Sequence, residues 1–426
     1  MKTGAFAASL PGLLVLFLLT FSAISPVSAQ FSLSGEIRPK AEFRDGYRMM
    51  PQPGSKPAGL VNQRTRLSLL FEPESNVSLG VAVQDLRIWG QDNTMGTDPS
   101  FGIYEAWVEL AVRENLSIRA GRQELRYDNQ RLMAINDWAL TGRTHDALVM
   151  KYRQDNGSQL HIGAGFNQRE DRLFETYYRM DNYKTLNYIW YNTDLGNSTN
   201  ASFLFLADGY EHPDNPETLY VRATWSSFLV ISPGSVTLRL QPAYQHGNTS
   251  RGQDIGAYYL LGELSGDLTA NMSSTLGFEL FSGQDHLDPG DKFTAFDKLF
   301  GAGHGKNGFM DYFTAFPAHP QNAGLFNPYL KNNFRLSDQT SLNADLHLFF
   351  LENNYPDPAD PTRAIDKYLG TELDLVLNHR FNEFTEVLLG YSVMFGSESM
   401  EVIRGGSKDE FAHWGFLMIR MSPVFF

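Results

Sequence analysis

The sequence predicts an all-β fold, a transmembrane antiparallel β-barrel of about 18 strands with short periplasmic turns and long extracellular loops. Three observations predict it. After residue 30, apolar and polar residues alternate in segments of roughly ten to fifteen residues, which suits one face for lipid and one for the lumen. The gaps between these segments are alternately short and long, and the chain ends in Phe426, as bacterial barrels commonly do. A barrel of this size is expected to enclose a water-filled channel rather than a packed core.

The alternation defines the individual strands. They are predicted at 31–44, 60–72, 76–89, 101–112, 115–125, 144–154, 157–168, 183–194, 198–207, 217–230, 235–246, 254–266, 271–282, 323–336, 341–351, 367–378, 384–395 and 411–424. In the first strands the polar face is basic and is therefore predicted to line the lumen at Arg38, Lys40, Arg64 and Arg66. In 101–112, Tyr104 shares the apolar parity of Val108 and Leu110 and is expected to face lipid.

The gaps form two interleaved sets. The short ones contain Asn, Asp, Gly, Ser and Pro, the usual turn residues. The long ones include 126–143 and 283–322. Short turns belong on the periplasmic side of a barrel, so both termini are predicted there. A soluble β-sandwich, the alternative fold, would have short strands without this systematic asymmetry of loop length.

Residues 1–29 have the features of a secretory signal peptide. Lys2 supplies the positive charge, residues 10–21 form a short apolar core, and residues 27–29 form a small-residue cleavage site. The apolar core is too short for a transmembrane anchor. We therefore expect residues 30–426 to form a single barrel domain in the outer membrane of a Gram-negative cell, exported by this signal.

Composition restricts the class of partner. The chain carries 35 Lys and Arg against 48 Asp and Glu, a net charge of -13, which argues against nucleic acid as a partner. Cysteine is absent, so an exported chain must be stabilised without disulfides, as a closed barrel is. Aromatic residues make up 13% of the chain and suit the girdles of a membrane barrel.

Segment 81–90 interrupts the simple alternation. Asp85 and Arg87 share the parity of Val81 and Val83. An Arg facing lipid near the bilayer midplane costs roughly 2–4 kcal/mol. Either a bulge near Gln84 reverses the parity, or the strand has left the apolar band by this point.

Segment 119–146 is the densest polar stretch, and we expect an ion-paired network at the extracellular mouth. Its members would be Arg122, Gln123, Glu124, Arg126, Asp128, Arg131, Asp137, Arg143 and Asp146. Arginine suits such a network because its planar fork stays charged and binds carboxylates in two places. The network either braces the loop or presents arginine to a passing acidic sugar.

This region and the strand 84–90 before it carry a family resemblance. Residues 121–125 (Gly-Arg-Gln-Glu-Leu), 129–132, 137–138 and 142–147 resemble the core signature of the alginate-export outer-membrane family, and residues 84–90 are similar to its preceding strand. The resemblance implies an eighteen-stranded barrel with a lumen narrowed by charged residues, conducting an anionic polysaccharide. It implies pore-lining or substrate-binding positions at Arg64, Arg66, Asp85, Arg87, Arg122, Arg131, Arg143 and Asp146. Strand parity adds Arg38 and Lys40 to this predicted set, and the polar stretch adds Glu124.

Three functional hypotheses follow. The first is an outer-membrane channel for an anionic polysaccharide such as alginate, or for its oligomers, in export or uptake. The second is a general diffusion porin for small sugars or other nutrients. The third is a surface adhesin or a barrel enzyme that uses its long loops. The longest loop, 283–322, is either a constriction element or a flexible surface loop.

The chain shows no enzymatic or cofactor motif. Its ten His residues lack metal-ligand spacing, and neither a nucleophile elbow nor a phosphate-binding loop occurs. We therefore expect no enzyme activity, no metal and no cofactor. The expected partners are the polysaccharide, outer-membrane lipid and lipopolysaccharide, the barrel-assembly machinery that inserts such proteins, and periplasmic export proteins. In the constriction, Arg66 and Arg122 are both predicted to lie on the lumen side. Arg122 shares the parity of Leu116, Ile118 and Ala120, so its position requires that the strand bulge at Gly121 or leave the membrane there.

Overall fold

A computed structural model of the protein describes residues 30–73, 76–94, 100–176, 182–212 and 214–426. Eighteen strands form one antiparallel sheet. The sheet is closed, because the first strand pairs with the second on one side and with the last on the other. The predicted barrel and its strand count are confirmed. The expected signal peptide, residues 1–29, lies outside the described residues.

The strands follow one another around the barrel in chain order. They are β1 (Gln30–Asp45), β2 (Ala58–Glu72), β3 (Val77–Ile88), β4 (Phe101–Arg113), β5 (Leu116–Gln123), β6 (His145–Arg153), β7 (Gln159–Phe166), β8 (Thr185–Asp194), β9 (Thr199–Glu211), β10 (Leu219–Ile231), β11 (Val236–Asn248), β12 (Asp254–Thr269), β13 (Met272–Phe281), β14 (Leu325–Arg335), β15 (Thr340–Leu351), β18 (Tyr368–Asn382), β19 (Thr385–Gly396) and β20 (Ala412–Met421). A small hairpin, β16 (Pro356–Asp357) and β17 (Asp360–Ala364), lies in the loop before β18.

One short helix, α1 (Glu398–Arg404), lies in the loop before β20. Ser397 caps it, because its side chain accepts a hydrogen bond from the Met400 amide. In the described part of the chain, no helix is long and apolar enough to cross a membrane.

Alternation along each strand separates an outer from an inner face. In β2, Leu67 on the outer face is 47% exposed, whereas Arg64 on the inner face is 1% exposed. In β20, Leu417 and Ile419 are exposed outward, whereas Trp414 is buried inside. The closed ladder satisfies the backbone hydrogen bonds that lipid could not satisfy, so the apolar outer face can lie in the bilayer.

One strand departs from its predicted parity. The pairing of β3 with β4 shifts by one residue between Ala82 and Val83, which leaves Tyr104 as the extra residue on β4. This bulge turns the Tyr104 side chain inward, where it is 4% exposed. The expectation that Tyr104 faces lipid is therefore wrong.

The lumen contains a folded core at the end of the barrel that carries the long loops, here called the long-loop end; the opposite end is the short-turn end. Loop 124–144 and loop 282–324 fold inward from the long-loop end. Their side chains Met133, Phe296, Met310 and Phe313 are fully buried. The expectation of a simple water-filled lumen is therefore wrong at this end, and loop 282–324 is a constriction element rather than a flexible surface loop.

Candidate functional site

Loop 124–144 is held inside the lumen because it is bonded to several separate strands of the wall. Asp128 accepts hydrogen bonds from Trp190 of β8 (2.9 Å) and Ser202 of β9 (2.5 Å). Further along the loop, Arg131 forms a buried ion pair with Glu279 of β13 at 2.5 Å. Arg131 is fully enclosed and also donates to Ala302. It therefore braces the loop and is closed to a passing solute.

The two inward loops are joined through their backbones. Met133 and Phe300 form a parallel bridge, and the Ala134 amide donates to the Phe300 carbonyl at 3.1 Å. A side chain at Gly301 would lie only 1.8 Å from the carbonyl oxygen of Arg131. Only glycine permits this approach, so the loops form one inserted unit.

Beyond the brace, loop 124–144 places Asp137 among arginines of three adjacent strands. Its carboxylate lies 2.6 Å from Arg64 of β2, 3.2 Å from Arg420 of β20 and 3.5 Å from Arg38 of β1. Arg38 also donates to the Asp137 carbonyl at 2.7 Å. Glu36 shares the cluster, at 2.6 Å from Arg64 and 3.7 Å from Arg420. We call this set the arginine cluster.

Asp137 belongs to a loop, outside the strands that span the membrane, and its ionisation follows from its neighbours. Burial raises the pKa of a carboxyl group, but the charge and hydrogen bond of Arg64 oppose that effect, as do the charges of Arg38 and Arg420. Together they leave the pKa of Asp137 below its ordinary value. Asp137 is therefore ionised at neutral pH.

Toward the long-loop end lies a cavity of about 610 Å³, here called the outer cavity. Five basic residues line it, against two acidic ones. The basic residues are Lys40, Arg44, Arg48, Arg143 and Lys298, and the acidic residues are Glu42 and Asp311. The cavity is therefore electropositive in a chain that is acidic overall.

Among the described residues, pairing leaves two of these cations without an acidic partner. Lys40 and Arg44 share Glu42, at 3.2 and 2.9 Å, and Arg48 lies 3.7 Å from Asp311. Arg143 and Lys298 donate instead to backbone carbonyls of loop 282–324, and in the described ranges neither has an acidic ion-pair partner.

Lys298 titrates in the physiological range. Burial, followed by the nearby charges of Arg131 and Arg143, lowers the pKa of Lys298 to about 7. Burial also lowers the pKa of the Arg143 guanidinium, which nevertheless stays charged at neutral pH. An anion entering the cavity would supply the missing negative charge.

Trp138, at the wall of the outer cavity, has both ring faces covered. His304 stacks on it with ring centroids 3.8 Å apart, and the Lys40 ammonium lies 4.2 Å from the ring centroid. Two groups so close to one ring must lie on opposite faces. Trp138 therefore holds Lys40 and His304 in place and offers no free face for stacking on a sugar.

The structure brings most of the predicted site residues inside the barrel. Those on the lumen side are Arg38, Lys40, Arg64, Arg66, Glu124, Arg131 and Arg143. Arg66 lies 3.5 Å from the centroid of the Tyr104 ring and donates to Gln84, which in turn donates to Thr141 of loop 124–144. Their binding of substrate stays a prediction.

Four predicted pore-lining residues lie on the outer face instead. Asp85 pairs across the sheet with Phe101, which is 68% exposed, and bonds to Arg87 at 2.6 Å. The register of β3 with β2 is uninterrupted, so a bulge near Gln84 does not reverse the parity. The lumen placement of Asp85 and Arg87 is wrong, because the two charges pair with each other near the long-loop end of the strand.

Arg122 and Asp146 are the other two. They face each other across β5 and β6, 2.9 Å apart, on the same outer face as the exposed Leu148. Pairing of β4 with β5 continues through Gly121 without a bulge. The prediction that Arg122 and Asp146 line the lumen is therefore wrong.

Sequence reasoning missed several residues of the site. Arg420 interrupts the apolar pattern of the last strand, and that interruption was the signal for its inward position. Arg44 continues the inward parity of Lys40 and Glu42. Arg48 and Lys298 lie in loops, where alternation gives no orientation.

The chain matches the family model described as alginate export over residues 29–401. It belongs to the alginate export family. The match extends well beyond residue 150, where the motif resemblance in the sequence becomes weak. No curated protein sequence matches the chain.

Solved outer-membrane barrels of Pseudomonas aeruginosa have a similar fold. OpdL aligns with a TM-score of 0.64 at 12% identity, over 93% of this chain and 99% of OpdL. OccK9 (OpdG) aligns at 0.63 and 12% identity, over 93% and 98%. OpdK, solved with vanillate, aligns at 0.61 and 11% identity, over 93% and 99%. The alginate export family member described here is thus an outer-membrane β-barrel channel.

Proposed function

We propose that this channel conducts an anionic polysaccharide such as alginate, or its oligomers, across the outer membrane. The observation that carries the proposal is the outer cavity, where Arg143 and Lys298 are enclosed cations with no acidic partner in the described part of the chain. A pore selects solutes by the groups that line it, so the acidic net charge of the whole chain does not oppose this.

The chemistry of uronic acids suits this cavity. Each residue of such a polymer carries one carboxylate, and a guanidinium can hold a carboxylate through two parallel hydrogen bonds. Inside a narrow, partly dry passage these contacts are stronger than in water. Neutral hydroxyl groups of a sugar could still bond to Asn62 and Asn136, which also line the cavity.

The comparisons support the same class of solute. The family model is named for alginate export, and one barrel of the same fold was solved with vanillate, which is itself a carboxylate. A general diffusion porin is less well supported, because two inward loops fill much of the long-loop end. We infer transport rather than catalysis.

Block of single-channel current tests the proposal. An oligouronate added to the wild-type channel in a planar bilayer should interrupt the current at concentrations where a neutral oligosaccharide of equal length does not. Arg143→Gln should raise the half-blocking concentration by about tenfold, the loss of one good charge-assisted contact. Arg122→Gln, a matched change on the outer face, should leave it unchanged.

Two results would count against the proposal. One is equal block by the neutral and the acidic oligosaccharide. The other is an equal effect of the two arginine substitutions. Heat-dependent mobility of each variant in detergent gels establishes that the barrel has folded and inserted.

A further inference from the structure

We propose that Arg38, Arg64 and Arg420 form a carboxylate-binding site in which the chain's own Asp137 is an internal ligand, displaced by an anionic solute during passage. The proposal rests on the proposed function, since the contact between Asp137 and the arginines would control passage of the same solute. In this proposal the Asp137 carboxylate competes with the carboxylates of the solute for the three arginines.

The contacts of Asp137 are those that a bound carboxylate would make. One carboxylate oxygen lies 2.6 Å from Arg64, and the other lies 3.2 Å from Arg420 and 3.5 Å from Arg38. The three arginines come from β2, β20 and β1, which are neighbours where the sheet closes. The site is therefore built on rigid strands, and only its ligand comes from a loop.

The charges of the cluster balance only while a carboxylate is present. Three arginines are paired with three acids, namely Asp137, Glu36 and Glu386. Withdrawal of Asp137 leaves one positive charge uncompensated in an enclosed site, which is costly. A carboxylate of the solute restores the balance, whereas a neutral sugar or a cation does not. The exchange thus selects for anions.

Asp137 lies between two spaces in the lumen. Its chain neighbours Asn136 and Trp138 line the outer cavity. On the other side, Arg420 lines a pocket of about 210 Å³ at the short-turn end, together with Glu386. Arg420 bonds to both Asp137 and Glu386, at 3.2 and 3.0 Å. The Asp137–Arg420 contact thus lies between residues that line the two spaces, where a solute moving along this wall would meet it.

The Asp137 side chain can leave the arginines by rotating about its own bonds, because the backbone around it is held separately: Arg38 donates to the carbonyl oxygens of Asp137 and Ala139. The first half of loop 124–144 is fixed by the buried Arg131–Glu279 pair and by the buried side chain of Met133. Residues 136–139 are only partly buried, and Gly142 beyond them has a positive φ of 68°. Displacement of Asp137 therefore leaves the anchored half in place.

Because Asp137 is tethered to the loop, not every anion can displace it from the arginines. A carboxylate fixed on a loop has an effective concentration on the order of millimolar or higher, so dilute free anions compete poorly with it. A polymer already held in the outer cavity presents its next carboxylate as a tethered group too. The contact between Asp137 and the arginines should therefore respond to chains more than to single uronates.

Asp137→Asn tests the proposal, with Asp146→Asn as the matched control. The control removes the same charge from the outer face, where Asp146 pairs with Arg122. In wild type the probe is an oligouronate, and its half-blocking concentration is measured in planar bilayers. Asp137→Asn should lower that concentration by about tenfold and raise the open-channel current, because the internal competitor is gone. Asp146→Asn and Asp137→Glu should resemble wild type.

The outcomes separate the possibilities. If Asp137→Asn raises the current but leaves the half-blocking concentration unchanged, Asp137 is only a brace and the proposal is overturned. If it weakens the block, the proposal is overturned as well. Equal block of the wild-type channel by neutral and acidic oligosaccharides would instead overturn the proposed function. That result needs no variant, so the two failures can be distinguished.

Discussion

Arg143 and Lys298 differ from the other cations of the outer cavity in having only backbone carbonyls as partners among the described residues. The carbonyl oxygens fix the positions of the two side chains but do not cancel their charges. By contrast, Arg64 is already paired with Glu36 and Asp137, so a solute can reach it only by displacing Asp137. Position in the lumen is therefore not enough to make an arginine available to a solute; its pairing decides.

We predict that Lys298 makes the proposed anion selectivity depend on pH. The pKa of its ammonium is about 7, so the group is charged below that value and neutral above it. We predict that anion preference, measured as the reversal potential under a salt gradient, decreases as the pH rises from about one unit below to about one unit above this value. Lys298→Arg, which stays charged, should flatten the profile. An identical profile for wild type and Lys298→Arg would show that another group titrates.

At the scale of elements, the strands provide the wall and the two inserted loops provide the constriction. Loop 282–324 supplies Lys298, His304 and Asp311 to the outer cavity, and loop 124–144 supplies Trp138 and Arg143. Gly301 allows the two loops to join. The proposed selectivity therefore depends on loops that the barrel holds as well as on its strands, and functional loops on rigid scaffolds are common.

Deletion of 283–322 tests this division of labour. The barrel should still insert, because no strand is removed and the ladder remains closed. Single-channel conductance should increase and anion preference should decrease, because the loop carrying Lys298 is lost and the lumen opens. Conductance and reversal potential are measured in the same bilayer. Unchanged conductance would mean that the loop does not narrow the pore; loss of surface binding without any change in current would favour an adhesin.

The strands could be predicted from the sequence because alternation with a period of two is a local property. Predicted 271–282 and 384–395, for example, lie within two residues of β13 and β19. The inserted core could not be predicted, because it depends on contacts between distant residues. Arg38 and Asp137 are 99 residues apart, and Arg420 and Asp137 are 283 apart. For Arg122, parity with Leu116, Ile118 and Ala120 gives the outer face that the structure shows. The prediction is wrong because it prefers the family resemblance to that parity.

At the scale of the whole molecule, an acidic chain encloses a basic passage. The net charge is -13, yet the outer cavity carries five basic residues against two acidic ones. Charge inside a narrow lumen acts directly on a permeating solute, whereas charge on the outside is screened within about 8 Å at physiological salt. The outer cavity and the arginine cluster follow one another along the lumen, which suits a linear polyanion.

Flux into liposomes tests the central claim most directly. Purified wild-type protein is reconstituted into vesicles, and uptake of a labelled oligouronate is compared with uptake of a labelled neutral oligosaccharide of equal length. We predict rapid uptake of the oligouronate, and uptake of the neutral sugar close to that of protein-free vesicles. Equal rates for the two sugars, or faster uptake of the neutral one, would contradict the account of a channel selective for anionic saccharides.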